Sequence, residues 1–381
     1  MAGRGAVTAF GDHCEWTGAS ADNREEWLIS RRQGIGGSDV AAVLGMHRYK
    51  SALALYAEKL PDAPPDVAST EIARWGQLFE PQILKEFAGR TGRRVVRGGK
   101  LMRSKRAAHH LITLDGVQLT RPPPGCRGPG VAEVKTTGFT DRYDEASAGG
   151  NEASLPVDIR VQIQWEMWVT GATWATAIWL PFPERRLQWI DCRAMPDFQE
   201  ALAEQVDAFW QRVLRREPPD PDGSESSLRA LRQLYPGDND ELVRIAGDRA
   251  LHLCDEYQRC RAAAEMLGER AAIIKNTFAA TMRESKYALL DDGRYWRSAL
   301  YPARSNACKH CGEELSHQAS YRTYTFSDPR KKPFKQPVLE TRELVGDLTA
   351  DADDALERQL AASLVGSAPD NDPQADAVGA E

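Results

Sequence analysis

The segment from residue 114 to residue 137 reads LDGVQLTRPPPGCRGPGVAEVKTT, and it places charged side chains within two apolar runs. Asp115 follows the run HLITL, whereas Glu133 and Lys135 are separated by one residue inside VAEVKTT. Alternate residues of a strand share a face, so Glu133 and Lys135 are expected to point the same way while Val134 faces the core. Taken alone, such a triplet also fits an ordinary ion pair on a solvated sheet face.

The neighbouring segments predict an α/β core. Strand patterns in RRVVRGGKLM, HLITLDGVQL and VAEVKTT are joined by turns rich in glycine and proline. A helical pattern precedes them in TEIARWGQLFEPQILKEFAGRTG, and another follows in VDIRVQIQWEMWVTG, which should end at Gly171. Pro81 should kink the first helix or begin a new helix just after Glu80. The order of elements favours a mixed central sheet flanked by helices.

Length and composition limit the class of protein. The chain has 381 residues, of which 42% are hydrophobic and 27% charged, so it exceeds one ordinary domain and can bury a large core. A run of about 18 apolar residues is missing, so we expect no membrane span. With a net charge of −6, any contact with nucleic acid must come from a local basic surface. The seven scattered cysteines favour reduced thiols and a cytoplasmic location.

The composition predicts five parts along the chain. They are a flexible N-terminal segment (1–23), an α/β domain (24–215), a linker (216–225), a module of helices with a small sheet (226–345), and an acidic disordered tail (346–381). The linker is indicated by the composition break at REPPDPDGSESS, and the tail by its content of alanine and aspartate.

Two carboxylates on adjacent strands can bind a hard cation such as Mg²⁺ at one end of a sheet. The order Glu80, Asp115, Glu133-x-Lys135, Gln162 resembles the nuclease superfamily named for its PD-(D/E)xK motif, although Leu114 stands in place of the proline. Five segments further resemble the YqaJ-type viral recombinases, relatives of lambda exonuclease, over about residues 24 to 215. These segments are RRQGIGGSDVAAVLGMHRYKSALALYAEK, WGQLFEPQILKEFAGRTG, LDGV, EVKTT and VQIQWEMWVTG.

The resemblance implies a restriction-endonuclease-like fold with a mainly helical C-terminal extension, and a metal site. The ligands that it implies for Mg²⁺, or for Mn²⁺ as an alternative, are Asp115, Glu133, the backbone carbonyl of Val134, and Glu80. Lys135 would orient and activate the attacking water. Gln162 would hold that lysine or the scissile phosphate.

A second implied site is a pocket for a terminal 5′ phosphate. The pattern R-x-x-G-I-x-x-S in RRQGIGGS assigns Arg31 and Ser38 to this pocket. A glycine turn that leads into a helix N-terminus offers backbone N–H groups to an anion, and an arginine adds a fork of donors. Ser38 is also expected to be the N-cap of that helix.

The implied function is a metal-dependent deoxyribonuclease. It would digest one strand of linear double-stranded DNA from its end, in the 5′-to-3′ direction, and leave single-stranded DNA for phage or prophage recombination. The implied partners are double-stranded DNA ends, a single-strand-annealing protein and further copies of the chain in a ring. Two alternatives remain open, namely a RecB-like or structure-selective endonuclease on the same core, and a DNA-binding scaffold with a degenerate site.

Two further features have open interpretations. CKHCGEEL contains Cys308 and Cys311, which would need His310 or a distant ligand to complete a zinc site and are otherwise ordinary thiols. A basic cluster ahead of Asp115 would either track phosphates or form a solvated edge. Its members are Arg93, Arg94, Arg97, Lys100, Arg103, Lys105 and Arg106.

Overall fold

The computed structural model describes residues 9–61, 71–137, 143–147, 149–181, 186–237, 240, 242–302, 304–307, 314–318 and 320–327. The chain divides into two compact units, Met1–Asp240 and Glu241–Glu381. Both predicted zinc ligands, Cys308 and Cys311, and the predicted tail 346–381 lie outside the described residues. No helix in the described part of the chain is long and apolar enough to cross a membrane.

The first unit begins with four short elements. They are β1 (Cys14–Ser20), α1 (Arg24–Arg31), α2 (Gly37–Val43) and α3 (Ala52–Lys59). The prediction of a flexible segment over residues 1–23 was wrong for β1, because this strand pairs antiparallel with a later strand and buries Cys14. Ser38 is not the N-cap of α2, since the helix begins at Gly37 and Gly36 occupies the cap position.

The next helix, α4 (Glu71–Thr91), runs without interruption through Pro81. The alternative in which a new helix begins just after Glu80 was therefore wrong. Ile83, Leu84 and Phe87 form the buried side of α4 and pack in one apolar cluster against the central sheet. The helix thereby covers one face of the sheet and carries Glu80 near its middle.

A bent hairpin connects two sheets. Its strands are β2 (Val95–Arg97), β3 (Lys100–Ser104), β4 (Leu111–Thr113) and β5 (Gly116–Gln118). β2 pairs with β5, and β3 pairs with β4, both antiparallel. Between the two pairs, Gly98 and Gly99 donate hydrogen bonds of 2.9 and 2.8 Å to the carbonyls of Asp115 and Leu114. Each run that the sequence indicates as one strand is thus divided at this bend, which we call the corner.

Glycine is required at the corner because the two backbones approach closely. A Cβ atom on Gly98 would lie only 1.9 Å from the carbonyl oxygen of Leu114. Any larger residue would separate the two arms of the hairpin. The corner therefore fixes where Asp115 stands relative to both sheets.

The central sheet has five strands in the order β2-β5-β6-β7-β8. Its remaining strands are β6 (Gly130–Thr137), β7 (Trp174–Pro181) and β8 (Gln188–Arg193). β6 and β7 are parallel, and the other neighbours are antiparallel. This mixed sheet with flanking helices confirms the predicted fold class. A smaller antiparallel sheet has the order β1-β3-β4.

The connection from β6 to β7 contains α5 (Asp144–Ser147) and the central helix α6 (Val157–Thr170). Most side chains of α6 are buried, and the helix contacts strands of both sheets. It ends at Gly171, whose φ of 69° is left-handed, as the sequence predicts. A further helix, α7 (Pro196–Arg215), packs against α6 and contributes Leu202, Val206 and Phe209 to the main core.

The boundary between the units lies after the helix α8 (Glu225–Leu234). This helix packs on α3, and Ser51 donates a 3.1 Å backbone hydrogen bond to the hydroxyl of Ser226. The predicted C-terminal module was to begin at residue 226, whereas α8 belongs to the first unit.

The second unit contains one long helix, α9 (Asp248–Met282), and two small antiparallel groups of strands. These strands are β9 (Tyr287–Leu289), β10 (Tyr295–Tyr301), β11 (Arg304–Ala307), β12 (Glu314–Gln318) and β13 (Tyr321–Ser327). Phe278 of α9 stacks on Trp296 of β10 with ring centroids 4.9 Å apart. The described part of this unit thus combines one long helix with short antiparallel strands.

Candidate active site

The predicted site residues of the first unit line a single cavity of about 490 Å³. They reach it from α1, α2, α4, β6, α6 and the corner. The residues that the structure brings together in this way are Arg31, Ser38, Glu80, Asp115, Glu133, Lys135 and Gln162.

Glu133, Lys135 and Gln162 contact one another in a closed triangle. The Nζ of Lys135 lies 2.6 Å from Oε1 of Glu133 and donates a 3.1 Å hydrogen bond to Oε1 of Gln162. The Nε2 of Gln162 donates a 2.6 Å hydrogen bond to the same Oε1 of Glu133. Val134 points the other way, into the cluster beneath α4, as strand alternation predicts. Gln162 therefore orients both charged groups of the E-x-K triplet.

Asp115 stands beside the triplet at the corner. Its Oδ2 accepts a 2.8 Å hydrogen bond from the backbone N–H of Val134. On the other side of the corner, Thr113 accepts a 2.9 Å hydrogen bond from the indole of Trp27. The carboxylate of Asp115 is thus fixed to β6, while the residues before it are fixed to α1.

Glu166 is a site residue that the sequence pattern did not indicate. It lies one helical turn after Gln162, whose Nε2 donates a 2.8 Å hydrogen bond to its Oε1. Its side chain is buried and lines the cavity. A glutamate within the apolar stretch VQIQWEMW, four residues after a predicted site residue, was the signal that could have identified it.

The carboxyl groups of the cavity disfavour one another's ionisation. Burial and the nearby Glu133 raise the pKa of Glu80 to about 7, against the attraction of Arg97. Burial, followed by the charge of Glu133, also raises the pKa of Asp115 and of Glu166 well above the ordinary value. Without a bound cation, these three carboxyl groups therefore keep their protons to a higher pH than free carboxyl groups do.

For Lys135, the charges of the cavity favour the ionised form. Burial alone would lower the pKa of its ammonium group, but the carboxylates of Glu133 and Asp115 raise that pKa above its usual value. Lys135 is consequently an ammonium ion at neutral pH. It can donate hydrogen bonds to a water molecule or a phosphate, but it is not a base.

The donor set fits a hard divalent cation. The atom Oε2 of Glu133 is buried and has no hydrogen-bond partner within the described part of the chain, and the same holds for Oε2 of Glu166. Carboxylate oxygens are the ligands that Mg²⁺ prefers in proteins. A bound cation would supply the partner that these buried oxygens lack.

Arg31 and Ser38 form the other end of the cavity. The Nη2 atom of Arg31 donates a 2.6 Å hydrogen bond to the hydroxyl of Ser38, and its guanidinium lies 5.0 Å from the ring centroid of Trp27. Two amides of the glycine turn are already engaged, because Ile35 donates to the carbonyl of His109 and Gly36 donates to Asp39. The N–H groups of Ile35 and Gly36 are therefore not free to bind a phosphate.

The glycine turn also has a packing role. A Cβ atom on Gly37 would lie 2.9 Å from Oε1 of Glu166 and 3.3 Å from Cγ of Gln162. Glycine at this position therefore lets α2 approach the two polar side chains of α6 that line the cavity.

The basic cluster ahead of Asp115 is used partly inside the fold. Arg93 forms a bidentate pair with Asp191, with both nitrogen–oxygen distances at 2.7 Å. Arg103 pairs with Glu15 across β1 and β3 at 2.7 Å. Arg97 is the member of this cluster that lines the cavity.

A compact group of potential metal ligands lies elsewhere in the first unit. Ligand atoms of His109, His110 and Asp207 lie within 4.8 Å of one another, and among the described residues no three carboxylates of the cavity are as close. The Nε2 atoms of the two histidines are hydrogen-bonded to Oδ1 of Asp207 at 2.7 and 2.6 Å. His109 stacks on Trp210, and His110 meets Trp165 edge to face. These contacts tie the residues before β4 to the helix α7.

Known proteins resemble the chain in sequence and in structure. Protein YqaJ of Bacillus subtilis (strain 168), described as uncharacterized, is 24% identical over 287 residues, which cover 74% of this chain and 85% of YqaJ. An alkaline exonuclease from Laribacter hongkongensis has a TM-score of 0.41 at 18% identity, over 51% of this chain and 94% of its own. A phage-related exonuclease from Haemophilus somnus 129PT has a TM-score of 0.38 at 13% identity, over 48% of this chain and 94% of its own.

A family model covers most of the region that carries the site. The model of the YqaJ-like viral recombinase domain matches residues 26–173, which run from α1 to the end of α6. The matched range includes each residue of the cavity discussed above. Over residues 26–173, the chain is therefore similar to the YqaJ-like viral recombinase domain.

Proposed function

We propose that this protein is a metal-dependent DNA exonuclease that digests one strand of a linear duplex from its 5′ end. The observation that carries the proposal is the cavity in which Asp115, Glu133 and Lys135 meet Gln162. The match of residues 26–173 to the YqaJ-like viral recombinase domain supports a role in recombination, in which the remaining strand would serve as single-stranded DNA.

We propose Mg²⁺, with Mn²⁺ as an alternative, as the cofactor. Its ligands would be Asp115, Glu133, the backbone carbonyl of Val134, and Glu80. Such a cation polarises a phosphate and helps water to act as a nucleophile at neutral pH. The buried, unpartnered Oε2 of Glu133 supports this assignment.

Lys135 and Gln162 have complementary roles in the proposal. The Lys135 ammonium donates hydrogen bonds that orient the attacking water and oppose the charge that develops on the scissile phosphate. Gln162 holds Lys135 through its Oε1 and holds Glu133 through its Nε2. The pair therefore keeps its geometry before the substrate arrives, which is what electrostatic catalysis requires.

Arg31 and Ser38 would select the DNA end. A terminal phosphate carries more negative charge than an internal one, and Arg31 and Ser38 present charge-assisted and neutral donors to it. Loss of one charge-assisted hydrogen bond costs roughly 1.5–3 kcal/mol. End preference should therefore change by about one to two powers of ten when Arg31 is removed.

The proposed activity implies its setting and partners. The substrate would be double-stranded DNA ends in the cytoplasm of a bacterial cell, and the product would be bound by a single-strand-annealing protein. A ring of several copies of the chain would keep the enzyme on one strand through many cleavage steps. These partners follow from the proposed function.

Digestion of one linear duplex tests the proposal directly. Substrates with 5′-phosphate or 5′-hydroxyl ends, labelled at either end, are incubated with Mg²⁺ or with chelator, and a closed circular duplex serves as the control. We expect Mg²⁺-dependent release of mononucleotides from the 5′ end and no cleavage of the circle. Nicking of the circle would favour the endonuclease alternative, and a lack of Mg²⁺-dependent cleavage of any substrate would favour the degenerate scaffold.

A further inference from the structure

Asp39 and Lys59 form a buried ion pair directly behind Arg31. Their side chains are 2% and 4% exposed, and neither residue lines the cavity. Arg31, in contrast, lines the cavity and is 23% exposed. The ion pair therefore reaches the cavity only through its contacts with Arg31 and with the glycine turn.

The ion pair contacts both the guanidinium group and the backbone carbonyl of Arg31. Oδ1 of Asp39 accepts a 2.7 Å hydrogen bond from Nη2 of Arg31. The Nζ of Lys59 donates a 2.9 Å hydrogen bond to Oδ2 of Asp39 and a 3.1 Å hydrogen bond to the backbone carbonyl of Arg31. Oδ2 of Asp39 also accepts the N–H of Gly36 at 3.1 Å, which links the same carboxylate to the turn.

Stability alone does not account for this arrangement. A buried ion pair is often no more stabilising than a pair of apolar side chains of the same volume, because both charges lose their hydration. Burial would raise the pKa of Asp39, but Arg31 and Lys59 hold it well below its ordinary value. Asp39 is therefore ionised at neutral pH and accepts hydrogen bonds from both Arg31 and Lys59.

We propose that Asp39 and Lys59 are positioning residues that hold the guanidinium of Arg31 ready for a terminal phosphate monoester. This inference rests on the proposed function. A free arginine side chain samples many rotamers, and each one must be given up when a phosphate binds. The ion pair removes most of that freedom in advance, so it should increase the preference for a phosphorylated 5′ end rather than the rate of cleavage itself.

The test compares cleavage of 5′-phosphate and 5′-hydroxyl duplexes by the full-length protein. The variants are Arg31→Ala, Asp39→Asn, the charge-balanced double variant Asp39→Asn/Lys59→Met, and Asp39→Glu. Glu58→Gln is the matched control, because it breaks the more exposed pair Lys50–Glu58 and leaves Arg31 untouched. For each protein, kcat and KM are measured on both ends, and folding is followed by circular dichroism and thermal unfolding.

We expect wild-type protein and Glu58→Gln to share one end preference. That preference should fall roughly ten- to hundredfold in Asp39→Asn, chiefly through KM for the phosphorylated end. The double variant should be more stable than Asp39→Asn, because Lys59 no longer leaves an unpaired buried charge, yet it should not regain the preference. Asp39→Glu keeps the charge but displaces it by one methylene group, so it should fold and still lose preference.

Three outcomes separate the two ideas. If Arg31→Ala loses the preference while the double variant and Asp39→Glu keep it, the ion pair is structural and the inference is wrong, although the proposed function stands. If wild-type protein treats both ends equally, the 5′-phosphate pocket is wrong, and the inference is wrong with it. If Asp39→Asn unfolds, the double variant and Asp39→Glu still test the inference. Loss of the end preference in both supports it, and retention of the preference in both overturns it.

Discussion

Glu166 adds a fourth carboxyl group to a cavity that already holds Glu80, Asp115 and Glu133. Lys135 is the cation in direct contact with these groups, through Glu133. Each carboxylate opposes the ionisation of the others, so the folded protein carries an electrostatic cost at neutral pH. A bound divalent cation would offset that cost, and the cavity therefore couples metal binding to stability.

Removal of the Glu133 carboxylate should abolish the coupling between metal binding and protein stability. We expect Glu133→Gln to abolish Mg²⁺-dependent cleavage and also to remove the rise in melting temperature that Mg²⁺ causes. A cation at 100 times its Kd stabilises a protein by about 2.7 kcal/mol, which thermal unfolding detects easily. Glu86→Gln on α4 is the control, because Glu86 contacts Arg90 on the exposed side of the helix. Wild-type cleavage by Glu133→Gln would contradict the site assignment.

Glu166→Gln should stabilise the metal-free protein. The pKa of Glu166 in the folded protein lies above its ordinary value of 4.5, so unfolded chains release the proton first and stability falls as the pH rises through 4.5. Glutamine avoids this cost and can still accept the hydrogen bond from Gln162. We expect a gain of about 1–3 kcal/mol at pH 7, typical of a buried polar group without a partner, and little difference at pH 4.

Urea unfolding in the presence of chelator measures both free energies. An equal effect of Glu166→Gln at the two pH values would show that the pKa of Glu166 is not raised in the folded protein. The comparison needs no nuclease activity, so it examines the electrostatics of the cavity independently of the proposed chemistry.

At the level of elements, the crossing of α2 over α6 sets the position of the polar side chains. Gly37 has no room for a methyl group, because Glu166 and Gln162 lie against it. We expect Gly37→Ala to push the helices apart and to lower kcat by roughly a hundredfold, as small displacements of catalytic groups do. Gly89→Ala on α4 is the matched control, because a Cβ atom added there would have no neighbour within 4 Å among the described residues. Equal kcat values for the two variants would contradict this account.

The elements of the first unit could largely be predicted from the sequence. Glu80, Asp115, the E-x-K triplet and Gln162 each lie on the expected helix, strand or turn, and they do meet. The sequence pattern missed the corner, because HLITLDGVQL alternates as one strand while hydrogen bonds from Gly98 and Gly99 divide it. It also missed β1, whose pairing partner β3 lies 80 residues or more further along the chain.

The polar residues that were missed share a physical cause. Asp39, Lys59 and Glu166 are buried charged residues within apolar helices, and charge in a sequence normally indicates exposure. Their burial depends on partners supplied by other elements, such as Arg31 of α1 for Asp39. Such pairing is a property of tertiary structure, which periodicity along one helix does not reveal.

At the level of the whole molecule, the two units carry different predictions. The first unit contains the cavity and the main apolar clusters, so cleavage should depend on it. The second unit contains the aromatic strands and, outside the described residues, Cys308 and Cys311. The five cysteines that the structure describes are free thiols.

Metal analysis tests the remaining prediction about the second unit. If Cys308 and Cys311 bind zinc, protein purified without chelator should contain about one zinc ion per chain. The double variant Cys308→Ser/Cys311→Ser should lose that zinc, whereas Cys254→Ser on the exposed side of α9 should retain it. Protein without zinc would leave the pair as ordinary reduced thiols.

The corner gives the two ends of the cavity a mechanical connection. Arg31 lies over Trp27, the indole of Trp27 is hydrogen-bonded to Thr113, and two residues further along stands Asp115. A DNA end that binds to Arg31 would therefore be coupled mechanically, through α1 and the small sheet, to a proposed metal ligand. A displacement of Arg31 on binding would then be transmitted across the corner to Asp115, whereas an end that does not engage Arg31 would leave Asp115 in place.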